Sequence, residues 1–257
     1  MHNAMDDNRQ GLWLAYGLWF TFWLILLTLI TGVLVILITT FERRGVVGRK
    51  IGRLWARLLL KIAHIPVAVE GLEHLVPGQT YVFAANHRSQ FDIFVLQATL
   101  PGEFGWVAKK SLFQIPVFGQ AMNTLGNIAI DRSNLQAAIK SLNQAAALVQ
   151  AGRSLIIFPE GTRATSRELL PFKKGVFIMA LKAGRPIVPI SISGTLAIQP
   201  RGSLHLRPGP VKVVISPPIH PQDFLGGPKE ELMAAVYQAI ADNFDPDYPY
   251  GSARLRD

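Results

Sequence analysis

From Gly11 to Phe41 the chain carries no charged side chain, and this run restricts the possible folds more than any other feature. Crossing a bilayer takes roughly 20 apolar residues. The segment is therefore long enough for one tilted span, or for a hairpin bent near Thr28, Thr31 and Gly32. Trp13, Tyr16, Trp19, Phe20 and Trp23 crowd its first half, and such rings collect at the headgroup boundary. A buried core helix is the competing reading, but few soluble folds can enclose so long an apolar run. No small-x-small step closes it, so it reads as retained rather than as a cleaved leader.

A basic segment follows at once. Arg49, Arg53, Arg57 and Lys61 recur every four residues, which places them along one side of a helix. Residues 1–64 are thus expected to form a membrane anchor plus an interfacial helix lying on an anionic bilayer surface. The solvated face of an ordinary globular helix is the alternative. A basic flank after an apolar run puts the remainder, residues 65–257, on the cytoplasmic side of the cytoplasmic (inner) membrane.

Composition supports a membrane partner. Lys and Arg total 26 against 17 Asp and Glu, a formal net charge of +9, which favours anionic partners. Charged residues make up only 17%, against about 25% in average soluble chains. No helix-turn-helix, zinc-finger or RNA-stacking signature accompanies the charge, so nucleic acid is not an expected partner. The chain has no cysteine, which excludes disulfides, thiol nucleophiles and cysteine-bound zinc.

From Ile65 onward short β-branched runs alternate with helical ones. Strands are predicted at Val67–Glu70, Thr80–Ala84, Gly105–Ala108, Ile128–Ile130, Ser154–Phe158, Pro186–Ser191 and Val211–Ile215. Helices are predicted at Phe91–Ala98, Leu135–Gln150, Gly175–Ala183 and Lys229–Asp242. This alternation argues for an α/β domain around a largely buried sheet. The tail from Asp245 is expected to wrap the surface or fray.

Four blocks stand out at predicted strand ends, where α/β proteins place their sites. The first is Asn86-His87-Arg88-Ser89-Gln90-Phe91-Asp92. On a continuous helix His87 and Asp92 would be about 500° apart and would not share a face. They meet only if the chain turns between them, and Ser89, a good N-cap residue, suggests that it does. Asp92 can then hold the imidazole while its other nitrogen takes a proton from a substrate hydroxyl. Ser89-x-x-Asp92 is equally a capping-box pattern, with Asp92 serving only the helix end. The second block is Gly126-Asn127-Ile128-Ala129-Ile130-Asp131-Arg132, and Lys109 with Lys110 lies at a further strand end. Arg132 and Lys109 are candidate phosphate contacts, although such residues are usually just solvated.

The third block is Phe158-Pro159-Glu160-Gly161-Thr162-Arg163. Arg163 can grip a phosphate through its planar fork, and Glu160 can accept hydrogen bonds from a polyol; a turn with a surface ion pair is the bland alternative. The fourth block, Ile187-Val188-Pro189-Ile190, is apolar and looks structural. Gly-x-Ser-x-Gly, Walker, Gly-x-Gly-x-x-Gly and His-Glu-x-x-His patterns do not occur.

Taken together and in this order, the blocks resemble those of the glycerolipid acyltransferase family, most nearly its bacterial 1-acylglycerol-3-phosphate branch, over about residues 65–213. The resemblance implies a mixed α/β sheet flanked by helices, with an N-terminal membrane-embedded helical anchor. It implies direct acyl transfer to the free sn-2 hydroxyl of 1-acylglycerol-3-phosphate (lysophosphatidic acid), giving phosphatidic acid. The donor would be acyl-CoA or acyl-carrier protein. His87 is then the general base and Asp92 its partner. Arg132, Glu160, Gly161, Thr162 and Arg163 would bind the acceptor, with Lys109 a weaker addition. No metal or other cofactor is expected, because a thiolate is a good leaving group. Another lysophospholipid or a lyso-aminolipid remains an alternative acceptor, and a non-catalytic membrane-binding module a further alternative. Backbone N–H groups near His87, or Arg88, are candidate oxyanion donors.

Overall fold

In the computed structural model, residues 2–42 and 44–249 are described, with side chains from Gln10 onward. The polar lead before Gln10 and the tail from Tyr250 therefore lie largely outside the described residues. The uncharged run forms one continuous helix, α1 (His2–Phe41), so no hairpin bend occurs at Thr28, Thr31 or Gly32. Residues 10–41 are long and apolar enough to cross a membrane. Three of its threonine hydroxyls are satisfied within the helix: Thr21, Thr31 and Thr39 donate to the carbonyls of Gly17, Leu27 and Val35 at 2.6–2.7 Å. That is how a helix without water neighbours keeps its polar groups paired.

One side of α1 packs along the rest of the protein. Phe20 is fully buried, with its ring centroid 5.1 Å from that of Phe91. Leu206 N donates to Trp13 O at 3.1 Å. At Gly17 the approach is so close that a Cβ would sit 1.7 Å from Leu204 O. The other side exposes Leu18, Phe22, Ile25, Leu29, Val33 and Leu37, which follow helical spacing as one apolar stripe.

The second helix, α2 (Val46–Ile62), packs against α1 and against α3 (Phe91–Thr99). Its arginine row bonds the end of α3. Arg49 pairs with Glu103 at 2.5 Å. Arg53 donates to Leu100 O and Gly102 O at 3.0 and 2.6 Å, and Arg57 to Ala98 O at 3.2 Å. These carbonyls lie at and just beyond the C-terminal end of α3, where the helix dipole is negative and carbonyls lack intrahelical partners. These bonds tie α2 to α3, while Lys50, Arg57 and Lys61 remain exposed.

Among the described residues, seven strands form one mixed sheet: β1 (Val67–Glu70), β2 (Val82–Ala85), β3 (Phe104–Lys109), β4 (Ile128–Ile130), β5 (Ser154–Ile157), β6 (Ile187–Ser193) and β7 (Val211–Ile215). Their order is β1-β7-β6-β2-β5-β3-β4, and only the β6–β7 pairing is antiparallel. The central strands β2, β5 and β6 are buried along their whole length. This is the fate of continuous apolar runs in a parallel sheet covered on both faces. On one face Phe83, Ile156 and Val188 share a core with Phe20 of α1, Ala56 and Leu59 of α2, and Phe91 and Phe94 of α3. Helices α1 and α2 therefore share one hydrophobic core with the sheet. The other face packs Val82, Leu155 and Ile187 against α5 (Leu135–Gln150), α6 (Lys174–Ala183) and α8 (Lys229–Ala241).

Two helices escaped the sequence reading: α4 (Phe118–Thr124) and α7 (Thr195–Ile198). Both are too short to show a period. All seven predicted strands are present, displaced by no more than two residues at either end.

Candidate active site

The parallel pairing of β2 with both β5 and β6 brings three strand ends together. Ala84 is in register with Ile157, and Ala85 with Ile190, so the first and third blocks leave the sheet side by side, next to the strand that carries the fourth. Asn86 ties this end of the sheet together. Its fully buried amide donates to Ile192 O at 2.9 Å and accepts from Ile192 N at 2.7 Å.

The chain then turns, and His87 meets Asp92. The His87 Nδ1 to Asp92 Oδ2 distance is 2.8 Å. The same oxygen accepts from Arg88 N at 2.6 Å and Ser89 N at 2.8 Å. The Asp92 carboxylate thus bonds both the start of α3 and the imidazole. A carboxylate acceptor at Nδ1 places the proton on that nitrogen and leaves Nε2 as the basic lone pair. Nε2 makes no hydrogen bond among the described residues. The ring stacks on Phe158, centroids 3.9 Å apart and planes within 8°, so packing as well as hydrogen bonding fixes its orientation.

Glu160 takes a different place from the one expected. It is 1% exposed, and its two oxygens accept from His87 N at 2.7 Å and Leu170 N at 3.1 Å. It clamps the third block beneath the first; with both oxygens engaged away from solvent it is a positioning group rather than a ligand for a polyol. Ala164 N donates to His87 O at 2.8 Å and closes the same junction. Burial pushes the Glu160 carboxyl up to about 7, partly offset by the two amide donors and by the Arg88 charge.

That shift fixes a sign. Because the folded-state pKa lies above the ordinary value, the folded protein holds the proton more tightly than the unfolded chain. The resulting stability is complete below the ordinary carboxylate range and is lost as pH rises through about 7. The loss runs at up to about 1.4 kcal/mol per pH unit. Glu160→Gln should flatten this dependence, so melting temperatures of the two proteins should converge or cross on going from pH 5 to pH 8. Parallel melting curves across that range would show that Glu160 does not titrate there.

Arg88, a candidate oxyanion donor, has its two terminal guanidinium nitrogens engaged, and its buried Nε has no partner among the described residues. Its guanidinium is buried, bonds Ser166 O and donates to Arg167 O at 2.8 Å. It also lies 4.5 Å from the centre of the Phe244 ring. The backbone N–H groups of His87, Arg88 and Ser89 are equally committed, to Glu160 and Asp92. A donor already engaged in this way is not free to meet a developing oxyanion.

Cations surround the junction. Arg132 reaches across from the end of β4 to donate to Gly161 O. Gly161 adopts φ +74°, a left-handed conformation that glycine accepts without strain. Thr162 accepts from Arg201 at 3.2 Å. Burial and the neighbouring Arg201 charge both lower the pKa of Arg163, which still remains a cation. Lys109, Lys110, Asp131, Arg132 and Ser133 line an open hollow of ≈ 290 Å³ beside them. There Lys110 pairs with Asp131 at 3.1 Å, whose carboxyl is held at about 2 by the Ser133 hydroxyl and by Lys110. Arg201 escaped the sequence reading, since a Pro-Arg-Gly turn carries no signal connecting it to residue 162.

This arrangement matches known proteins. A protein-family model described as Acyltransferase matches residues 66–193. The 1-acyl-sn-glycerol-3-phosphate acyltransferase of Limnanthes douglasii is 31% identical over 255 residues, spanning 96% of this chain and 90% of that protein. The chain belongs to the 1-acyl-sn-glycerol-3-phosphate acyltransferase family. Within that family, the human alpha enzyme is 33% identical over 215 residues, 83% of this chain and 73% of that one. Among solved structures, the 1-acyl-sn-glycerophosphate (LPA) acyltransferase PlsC of Thermotoga maritima is similar with a TM-score of 0.78 at 26% identity. That similarity covers 91% of this chain and 96% of the other. The matched region 66–193 contains all four blocks, and the mixed sheet flanked by helices is the family's fold. The protein is an acyltransferase, and the non-catalytic alternative is set aside.

Proposed function

We propose that the protein transfers a fatty acyl chain from an acyl thioester, acyl-CoA or acyl-carrier protein, to the sn-2 hydroxyl of 1-acylglycerol-3-phosphate. The observation that carries this reading is the 2.8 Å His87–Asp92 pair with Nε2 left without a hydrogen bond among the described residues. His87 Nε2 accepts the hydroxyl proton as the acceptor oxygen attacks the thioester carbonyl. The new ester C–O bond forms, the C–S bond breaks, and the departing thiolate takes the proton from the imidazolium. Asp92 stabilises the charged ring during the transfer. The named relatives are 1-acyl-sn-glycerol-3-phosphate acyltransferases, and Arg132, Arg163 and Lys109 supply the positive field that a phosphate headgroup requires.

The anchor fits the same reading. Because α1 is packed against the domain from Trp13 to Phe20 and again at Gly32, against Val117, a perpendicular crossing would carry the domain into hydrocarbon. The stripe from Leu18 to Leu37 instead meets one leaflet from the cytoplasmic side, where a lysolipid in the bilayer and a soluble thioester both reach His87.

Transfer by the purified protein in detergent or vesicles tests the proposal. Lysophosphatidic acid should give phosphatidic acid with one of the two labelled donors, and a lyso-aminolipid should give far less product. Arg163→Ala should raise the acceptor KM by about 10-fold or more, as expected for loss of a charged hydrogen bond. Equal rates with an uncharged lysolipid headgroup, or an unchanged acceptor KM in Arg163→Ala, would overturn the phosphate assignment.

A further inference from the structure

The strand that carries the fourth block delivers a group to the reacting pair just beyond its end. Strand β6 ends at Ser193. Gly194 then turns at φ +102°, where a Cβ would lie 2.6 Å from Pro210 O. That turn starts α7 with Thr195, which is fully buried. Its Oγ1 donates to Asp92 Oδ1 at 2.6 Å, across 103 residues of sequence. Two further bonds join the end of α7 to the loop before α3: Ser89 Oγ donates to Gln199 O at 2.7 Å and Gln90 Nε2 to Gln199 Oε1.

We propose that Thr195 is a positioning residue for the reaction, setting the plane of the Asp92 carboxylate so that Oδ2 faces His87. The argument rests on how the donors are distributed. Three donors, His87 Nδ1–H and two backbone amides, converge on Oδ2. Among the described residues, Thr195 is the sole partner of Oδ1. Asp92 is fully buried, so water does not replace the hydroxyl, and an unpaired carboxylate oxygen there is costly. Without the hydroxyl, the carboxylate gains by rotating to share its three other donors between both oxygens. The bond to His87, made by a mobile side chain rather than a fixed amide, is the one that lengthens. The Ser193-Gly194-Thr195 extension of the fourth block thus adds a third member to the His87–Asp92 pair. This inference rests on the reading of His87 as general base.

The test uses full-length protein in lipid, with Thr195→Val, Thr195→Ser and His87→Ala. Valine keeps the shape and removes the hydroxyl. Thr195→Val should lower kcat by about 10–100-fold, the range for a hydrogen bond to a charged group, with acceptor KM within about twofold. Thr195→Ser should recover most of the lost rate. In a His87→Ala background Thr195→Val should cost nothing further, because Thr195 acts through the imidazole. A Thr195→Val enzyme with wild-type kcat would overturn the proposal. So would an equal fractional loss with and without His87, which a merely structural role predicts. If the valine variant does not fold, Thr195→Ala takes its place against the same serine control. Failure of the general-base reading has a separate signature: His87→Ala alone would then remain active.

Discussion

His87→Ala is expected to lower acyl transfer by about 10²–10⁴-fold, the range for loss of a positioned general base, while leaving the fold nearly intact. The size of the effect follows from Nε2 being the basic atom, with Nδ1 committed to Asp92 at 2.8 Å. The preservation of the fold follows from what remains. Asp92 keeps its bonds from Arg88 N, Ser89 N and Thr195 Oγ1, so no buried charge is abandoned. Glu160 bonds the backbone nitrogen of residue 87 rather than its ring, so the clamp between the two loops survives. What is lost is a ring stacked on Phe158 at the edge of the site. Initial rates with lysophosphatidic acid, together with thermal unfolding and vesicle flotation, check this. A folded, membrane-bound variant retaining more than about a tenth of the wild-type rate would remove His87 from this role.

Asp92→Asn should be the more damaging change to the molecule as a whole. One carboxylate oxygen serves as helix cap and as imidazole partner, so one substitution tests both roles. If the amide NH2 faces those three donors, donor meets donor in a fully buried place. If it faces Thr195 instead, the hydroxyl turns to accept and the cap survives in part, but the imidazolium loses its counter-charge. In either orientation turnover should fall by about 10³–10⁴-fold, as for other imidazoles deprived of their carboxylate. Stability should fall by about 1–3 kcal/mol, the cost of an unsatisfied buried group. Denaturant unfolding measured beside kcat separates the roles. A stability loss with normal turnover would leave Asp92 as a cap alone.

Much of the fold was legible because its signals are local. The strands β2, β5 and β6 are predominantly apolar runs, interrupted in β6 by Ser191 and bounded by Gly, Pro or polar turns, as buried central strands of a parallel sheet are. Helix α5 shows its period over sixteen residues and begins at Asn134, whose side chain accepts from Ala137 N at 3.0 Å. Helix α7 has four residues, less than the window any periodic pattern needs. The arginine row of α2 was legible as a row, but the choice between a bilayer and the C-terminal end of α3 depends on which surface that helix meets. Charge has no address in a sequence.

The sequence by itself determined the kind of protein: a long apolar helix, an alternating α/β chain, and His87, Asp92 and Arg163 at the ends of strands. Spacing within each block and apolar patterning are properties of neighbouring residues, so they survive without coordinates. Only the tertiary structure decided the partners. It turned Glu160 from a substrate ligand into a buried clamp, spent the amides of the His87 loop and the terminal nitrogens of Arg88 on structure, and brought Thr195 and Arg201 to positions 92 and 162. The physical reason lies in the strand order. Pairing β2 with β5 on one side and β6 on the other sets residues some 70 to 110 positions apart within hydrogen-bonding distance. The choice of sheet neighbour is made by burial on both faces of the sheet and by no residue alone.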